Sequence, residues 1–203
     1  MQENPEAPVA ATLVEQEAAS TPAPPEAANK PLPVAQALDA WDQVMTRAHR
    51  LLREETIDAA WIARLAELEV AIRQLAARDP DVALYVLIEA NGSNMDQYSA
   101  QHAMTCMVIA ELAAEWMEWP AEERRVLALA ALSMNLSITA LQDSLAKQST
   151  SLSDGQRQRV GSHAATSADM LAEAGVTDPL WLHVVRHHHT VAAADVVQES
   201  DPS

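Results

Sequence analysis

Histidines are the side chains with the clearest chemical potential in this sequence. Seven are present, of which His102 and His163 stand alone and His187, His188 and His189 are consecutive. The helical patterns described below place them on three different predicted helices. Histidines on facing helices can converge into a metal site inside a bundle. A single helical histidine is more often structural or exposed, so these histidines are candidate metal ligands only when considered together.

The elements that must position these histidines are predicted to be helices throughout. The chain is rich in Ala and Leu, has no Phe and only 4 Gly, and Ala and Leu are strong helix formers. From Val34 onward, apolar residues recur at steps of three and four, which is the period of an amphipathic helix. We therefore predict an all-α fold.

Capping and breaking residues predict where these helices begin and end. Asp79-Pro80 and Asp178-Pro179 combine an N-cap residue with proline at the first helical position, and Ser153 with Gln156 forms a capping box. Pro120 is expected to break a helix. The predicted helices cover 34–51, 57–77, 80–90, about 94–119, 121–135, 154–174 and 179–189.

The composition divides the chain into four parts. Residues 1–33 are rich in Pro, Ala and Glu and are predicted to be a disordered tail. Residues 34–92 form an N-terminal helical region, 93–189 a compact helical domain, and 190–203 a C-terminal tail. His49 lies among charged residues of the first helix and is predicted to be at the surface.

Charge and cysteine content narrow the function classes. The net charge of −16 disfavours binding to a nucleic-acid polymer, which requires clustered Lys and Arg. A single cysteine, Cys106, excludes an internal disulfide and favours a reducing compartment. The apolar run from Val126 to Leu141 is short for a membrane span and is predicted to be a core helix. We expect a cytoplasmic protein that does not enter a membrane.

Three segments resemble, in order and spacing, the HD-domain metal-dependent phosphohydrolases, and most closely the HD-GYP branch. Ser99 and His102 match the family in YSAQHAMTCMVIAELAAEW, and His163 matches in LSDGQRQRVGSHAATSADMLAEAGV. The third segment is WLHVVRHHH, which resembles a helix ending in His-His-Glu. The resemblance covers roughly residues 95–189. It implies an HD-like helical bundle, a role in bacterial cyclic dinucleotide signalling, and metal ligands at His102, His163, His187 and His188.

The sequence departs from this family at the groups that matter most for catalysis. ALSMNLS stands where the His-Asp doublet is expected, so Met134 replaces the histidine and Asn135 the aspartate. His189 replaces the glutamate, and no Gly-Tyr-Pro signature is present. The nearest carboxylates along the chain are Asp143 and Asp169.

These replacements weaken a two-metal phosphodiesterase site. Asn135 lacks the charge with which an aspartate bridges two cations, and the Met134 thioether is a poor ligand for hard metals. Two alternatives remain: one borderline divalent ion held by His102, His163 and either His187 or His188, or a metal-free imidazole cluster that attracts anions.

The degenerate doublet favours a non-catalytic or impaired binding and regulatory module. Its expected partners are a cyclic dinucleotide or phosphoester, or a signalling protein. The alternative is an active, metal-dependent phosphohydrolase that cleaves a cyclic dinucleotide with metal-activated water.

Overall fold

The computed structural model describes residues 30–93 and 95–190. All regular structure in these ranges is helical, which confirms the predicted all-α class. The predicted tails at 1–33 and 190–203 lie mostly outside the described residues. Contacts divide the chain into Met1–Lys30 and Pro31–Ser203, and the following description concerns the second unit. The likeness of its bundle to an HD domain stays a prediction.

Eight α-helices follow one another along the described chain. Short 3₁₀ turns at Met95–Gln97 and Leu136–Ile138 precede the fourth and the sixth. The helices are α1 Val34–Leu52, α2 Ala59–Arg78, α3 Pro80–Ser93, α4 Tyr98–Trp116, α5 Ala121–Ser133, α6 Thr139–Ala146, α7 Asp154–Glu173 and α8 Pro179–His187.

The predicted N-terminal caps are present. The Asp79 carboxylate accepts a hydrogen bond from the Val82 amide at 3.0 Å, where α3 begins. Ser153 and Gln156 form the reciprocal capping box of α7. Such caps satisfy amide groups that have no partner within the helix, so these starts could be predicted from sequence.

Four predicted helix ends differ from the structure, and that of α8 is described with the site below. α3 continues through Asn91-Gly92, because the Asn91 side chain donates to the Leu87 carbonyl oxygen at 2.9 Å and Gly92 does not adopt a positive φ. α4 ends at Trp116, before the predicted Trp119, because Glu118 has a φ of 58°. α5 ends at Ser133 instead of Asn135.

One hydrophobic core joins the N-terminal helices to the rest of the unit. It extends from Trp41 in α1 to Val185 in α8. Trp61 in α2 is fully buried, and its indole N–H donates to the Leu51 carbonyl oxygen at 2.9 Å. The ranges 34–92 and 93–189 therefore share a core.

His49 and Asp143 are two polar groups within this packing. His49 is half-buried, so its predicted surface position was wrong, and burial lowers its pKa. The buried Asp143 carboxylate of α6 accepts hydrogen bonds from the Ser99 amide at 2.8 Å and from Arg53 at 2.6 Å. This carboxylate links the end of α1 to the start of α4.

The segment Ala121–Ala146 is long and apolar enough to cross a membrane, with a mean hydropathy of 1.3. However, 78% of its most apolar window is buried inside the fold. Core helices of soluble proteins share this composition. The predicted absence of a membrane role and the cytoplasmic location both stay predictions.

Candidate metal site

A cavity of about 380 Å³ brings together residues from α4, α7, the chain after α8, and the turn between α5 and α6. Three of the four predicted ligands line it, together with Met134 and Asn135, which the resemblance aligned with the His-Asp doublet. The cavity is lined by Tyr98, His102, Met134, Asn135, Ile138, Gln142, Leu145, Ala146, Val160, His163, His188 and His189.

Three imidazoles converge at one wall of this cavity. The Nε2 atom of His163 lies 3.1 Å from Nε2 of His188 and 3.2 Å from Nε2 of His189. One ligand atom from each of the three residues lies within 4.8 Å of the others. The group could therefore hold a metal ion.

The backbone fixes which ring nitrogens can act as ligands. Nδ1 of His163 lies 2.5 Å from the Val160 carbonyl oxygen, and Nδ1 of His188 lies 2.8 Å from that of Val185. A carbonyl oxygen only accepts, so each Nδ1 carries the hydrogen. In neutral imidazoles, the two facing Nε2 atoms then both present lone pairs, which repel each other unless a cation lies between them. A metal-binding histidine commonly has this arrangement, with its second nitrogen donating to a backbone carbonyl.

The end of α8 decides which C-terminal histidines join the group. The helix ends at His187, and the Thr190 amide then donates to the His187 carbonyl oxygen at 2.7 Å. The prediction that this helix continues to His189 was therefore wrong. Because the chain leaves the helix there, His188 and His189 both reach His163.

His187, the fourth predicted ligand, lies apart from the three-imidazole group. Its ring packs against that of His183, one helical turn earlier, with centroids 4.6 Å apart. The third member of the group is instead His189, which the resemblance aligned with a family glutamate. Only the position of the helix end distinguishes these neighbours, and the sequence does not mark that end.

His102 lines the cavity from α4 but is outside the three-imidazole group. Its ring stacks on Tyr98 with centroids 5.6 Å apart, and its Nε2 lies 3.6 Å from the Cys106 sulfur. Burial lowers the pKa of His102, and the nearby charge of His189 lowers it further. Both effects favour the neutral form of the His102 side chain, which faces the same cavity.

The turn with Met134 and Asn135 is held by serine hydroxyls. Ser133 accepts a hydrogen bond from the Trp181 indole at 2.9 Å. Ser137 donates to the His163 carbonyl oxygen at 3.1 Å. These contacts fix the turn against α7 and α8, so that Met134 and Asn135, both buried, face the cavity that contains the imidazoles.

Carboxylates are missing from the cavity lining, as far as the described residues show. The buried Asp143 is engaged by Arg53 and Ser99, and Asp169 pairs with Arg186 on the exposed side of α7. The two acids closest along the sequence therefore both act elsewhere. The donor set of this site is made of imidazoles alone.

Comparison with models of protein families, with curated proteins and with solved structures finds no match. The cavity and its histidines are therefore the features that bear on function.

Proposed function

We propose that this chain is a divergent HD-GYP-like module of bacterial signalling that binds a single transition-metal ion and does not hydrolyse phosphoesters. The observation that carries the proposal is the convergence of His163, His188 and His189 in a cavity whose described lining contains no carboxylate. Met134 and Asn135, which the family resemblance aligns with the His-Asp doublet, line this cavity.

The ligand chemistry supports a borderline ion over a hard one. Neutral imidazole suits Zn, Cu, Ni and Fe, whereas Mg and Mn prefer carboxylate and water oxygens. Two dications in this cavity would face imidazoles and the Asn135 amide, and the lining that the structure describes offers no anionic group to offset their charge. One ion held by three imidazoles matches a known zinc geometry that leaves a fourth position open.

The cavity that the three imidazoles line has space for a ligand at this open position. The volume of about 380 Å³ is within the range of small-molecule sites, about 300–1,000 Å³. Gln142 lines this space, and its Oε1 atom is buried with no hydrogen-bond partner among the described residues. A phosphoester, such as part of a cyclic dinucleotide, would complete the coordination of the ion.

The alternative function is an active phosphodiesterase. The open fourth position favours it, because an ion bound by three histidines can supply activated water to a substrate. Among the described residues, no carboxylate lines the cavity to accept the proton from that water. This difference makes hydrolysis the observation that separates the two functions.

The test combines zinc titration with a cyclic dinucleotide hydrolysis assay on the same preparation. Stoichiometric zinc binding without turnover is the expected result. Turnover that disappears in His163→Ala would establish the phosphodiesterase, and failure to bind any zinc, nickel or cobalt would refute both metal-based functions. The His183→Ala variant is a suitable control, since His183 lies on α8 outside the imidazole group.

Restoring the doublet tests the assignment of the turn independently. In the variant Met134→His with Asn135→Asp, a carboxylate and an added imidazole would face the cavity, so metal affinity is expected to rise. Unchanged affinity in a correctly folded variant would show that these positions do not face the bound ion.

A further inference from the structure

The wall of the histidine cavity contains a thioether. Met134 is the C-cap residue of α5, is only 9% exposed, and lines the same cavity as the three converging imidazoles. The turn that follows it is fixed against α7, because the Ser137 amide donates to the Ser167 hydroxyl at 3.1 Å. A thioether is a soft ligand that suits copper(I) and binds hard cations poorly. Met134 therefore gives the cavity a donor that favours a soft ion.

A second sulfur lies near the site but not in the cavity lining. Cys106 Sγ is 3.6 Å from Nε2 of His102, and Cys106 is not among the residues that line the cavity. Burial raises the pKa of its thiol, which disfavours the thiolate that binds metals. A thiolate would add a negative charge to the donor set, whereas the Met134 thioether adds none.

The charge of the lining also selects among metal ions. Apart from the histidines and Met134, the lining that the structure describes consists of uncharged side chains: Tyr98, Asn135, Ile138, Gln142, Leu145, Ala146 and Val160. Histidine binds a metal as neutral imidazole. The cost of removing an ion from water grows with the square of its charge, so a monovalent ion has about a quarter of the cost of a dication of the same size. A neutral donor set therefore favours a monovalent ion.

We propose that the ion of this cavity is copper(I), bound by the three converging imidazoles and by the thioether of Met134. Copper(I) combines the two properties that the lining selects, because it is soft and carries a single charge. Zinc still binds the imidazoles, but the thioether adds little to its affinity and the fourth position stays open. The inference rests on the proposed function, since it names the ion of the same site.

The first test compares two affinities of the full chain. Copper(I) binding is measured without oxygen by competition with a colorimetric copper(I) chelator, and zinc binding by calorimetric titration. Met134→Leu removes the sulfur and nearly conserves the side-chain volume. It is expected to weaken copper(I) binding at least about 10-fold, the lower end of the loss when a residue beside a metal is removed, and to leave zinc binding nearly unchanged.

Met104→Leu is the matched control. Met104 is fully buried in α4 and does not line the cavity, so this variant makes the same chemical change elsewhere in the core. Both affinities are expected to stay close to those of the wild type. Equal losses of copper(I) affinity in the two variants would show that the loss in Met134→Leu is an indirect effect on packing, and would overturn the proposal.

X-ray absorption at the copper edge identifies the ligands directly. The copper(I)-loaded wild type is expected to show one sulfur neighbour in addition to nitrogen. The sulfur should be retained in Cys106→Ala and lost in Met134→Leu. A sulfur that persists in Met134→Leu, or that disappears in Cys106→Ala, would overturn the assignment to Met134.

Asn135→Asp tests the charge argument separately. The substitution adds a negative charge to the lining, so zinc affinity is expected to rise more than copper(I) affinity. An equal gain for both ions would contradict the selection by charge.

The outcomes separate this inference from the function on which it rests. Zinc binding that disappears in His163→Ala, together with a copper(I) affinity that is equal in the wild type and Met134→Leu, would overturn the inference and leave the single-metal module intact. If neither ion binds with one-to-one stoichiometry, the module and the inference both fail.

Discussion

The replacement of His189 by alanine tests the grouping of histidines most sharply, because the neighbouring His187 provides a matched control. Nε2 of His189 lies 3.2 Å from Nε2 of His163, whereas the His187 ring packs against His183. Both histidines are exposed, so either substitution should leave the fold intact. His189→Ala is expected to weaken zinc binding, and His187→Ala to leave it nearly unchanged.

The expected size of the effect follows from the role of each residue. Loss of a residue that only orients a ligand typically weakens metal affinity 10–100-fold. Removing one of three ligands should exceed that range, which corresponds to more than about 2.7 kcal/mol of binding free energy. At a zinc concentration that stabilises the wild type, this difference lowers the melting temperature by roughly 5–10 °C for a domain of this size.

Isothermal titration with zinc measures the affinities, and thermal unfolding with and without zinc measures the linked stability. The opposite ranking, with His187→Ala impaired and His189→Ala unaffected, would refute the structural grouping and support the ligand set that the family resemblance implies. Equal affinities in both variants and in the wild type would show that zinc binds elsewhere.

Three further predictions concern the stability of the helical unit, each measured by chemical denaturation. Burial lowers the pKa of His49 from its ordinary value of 6.5, so the unfolded chain binds more protons than the folded chain. The free energy of unfolding should therefore be highest above about pH 6.5 and fall on acidification. In His49→Gln it should depend less on pH. Asp143→Ala removes a buried acceptor and should destabilise by at least about 1.5 kcal/mol, whereas Asp169→Ala, in an exposed pair, should cost less than about 1 kcal/mol. Gly161 is on the exposed face of α7, where an added Cβ would meet no neighbouring side chain or helix within 4 Å, so Gly161→Ala should stabilise by about 0.5–1 kcal/mol. Gly175→Ala should destabilise, because Gly175 has a φ of 101°. The opposite sign in either glycine variant would contradict the assigned backbone conformations.

Most of the helices could be predicted from local sequence signals. Apolar periodicity identified the buried faces of α1 and α2, and side-chain caps located the starts of α3, α7 and α8. Helix ends were harder to predict, because α3 continues through Asn91-Gly92 and α4 ends at Trp116, two residues before the left-handed Glu118. Residue type alone fixes neither end, since Asn and Gly can either continue or end a helix and Glu rarely adopts a positive φ.

The sequence was sufficient to predict most of the histidines that line the site, but not which of them come together. The sequence pointed to His102, His163 and His188, and the structure places all three around one cavity. The exchange of His187 for His189 depends on where α8 ends. The engagement of Asp143 by Arg53 depends on a contact between residues 90 positions apart, which spacing alone cannot reveal.

The most direct test of the central claim is an anomalous-difference map from crystals of the protein grown with zinc. We predict one peak about 2.0–2.1 Å from Nε2 of His163, His188 and His189, with His187 remote from it. Two peaks in the cavity, or a map without zinc at these three nitrogens, would contradict a single-ion site formed by imidazoles alone.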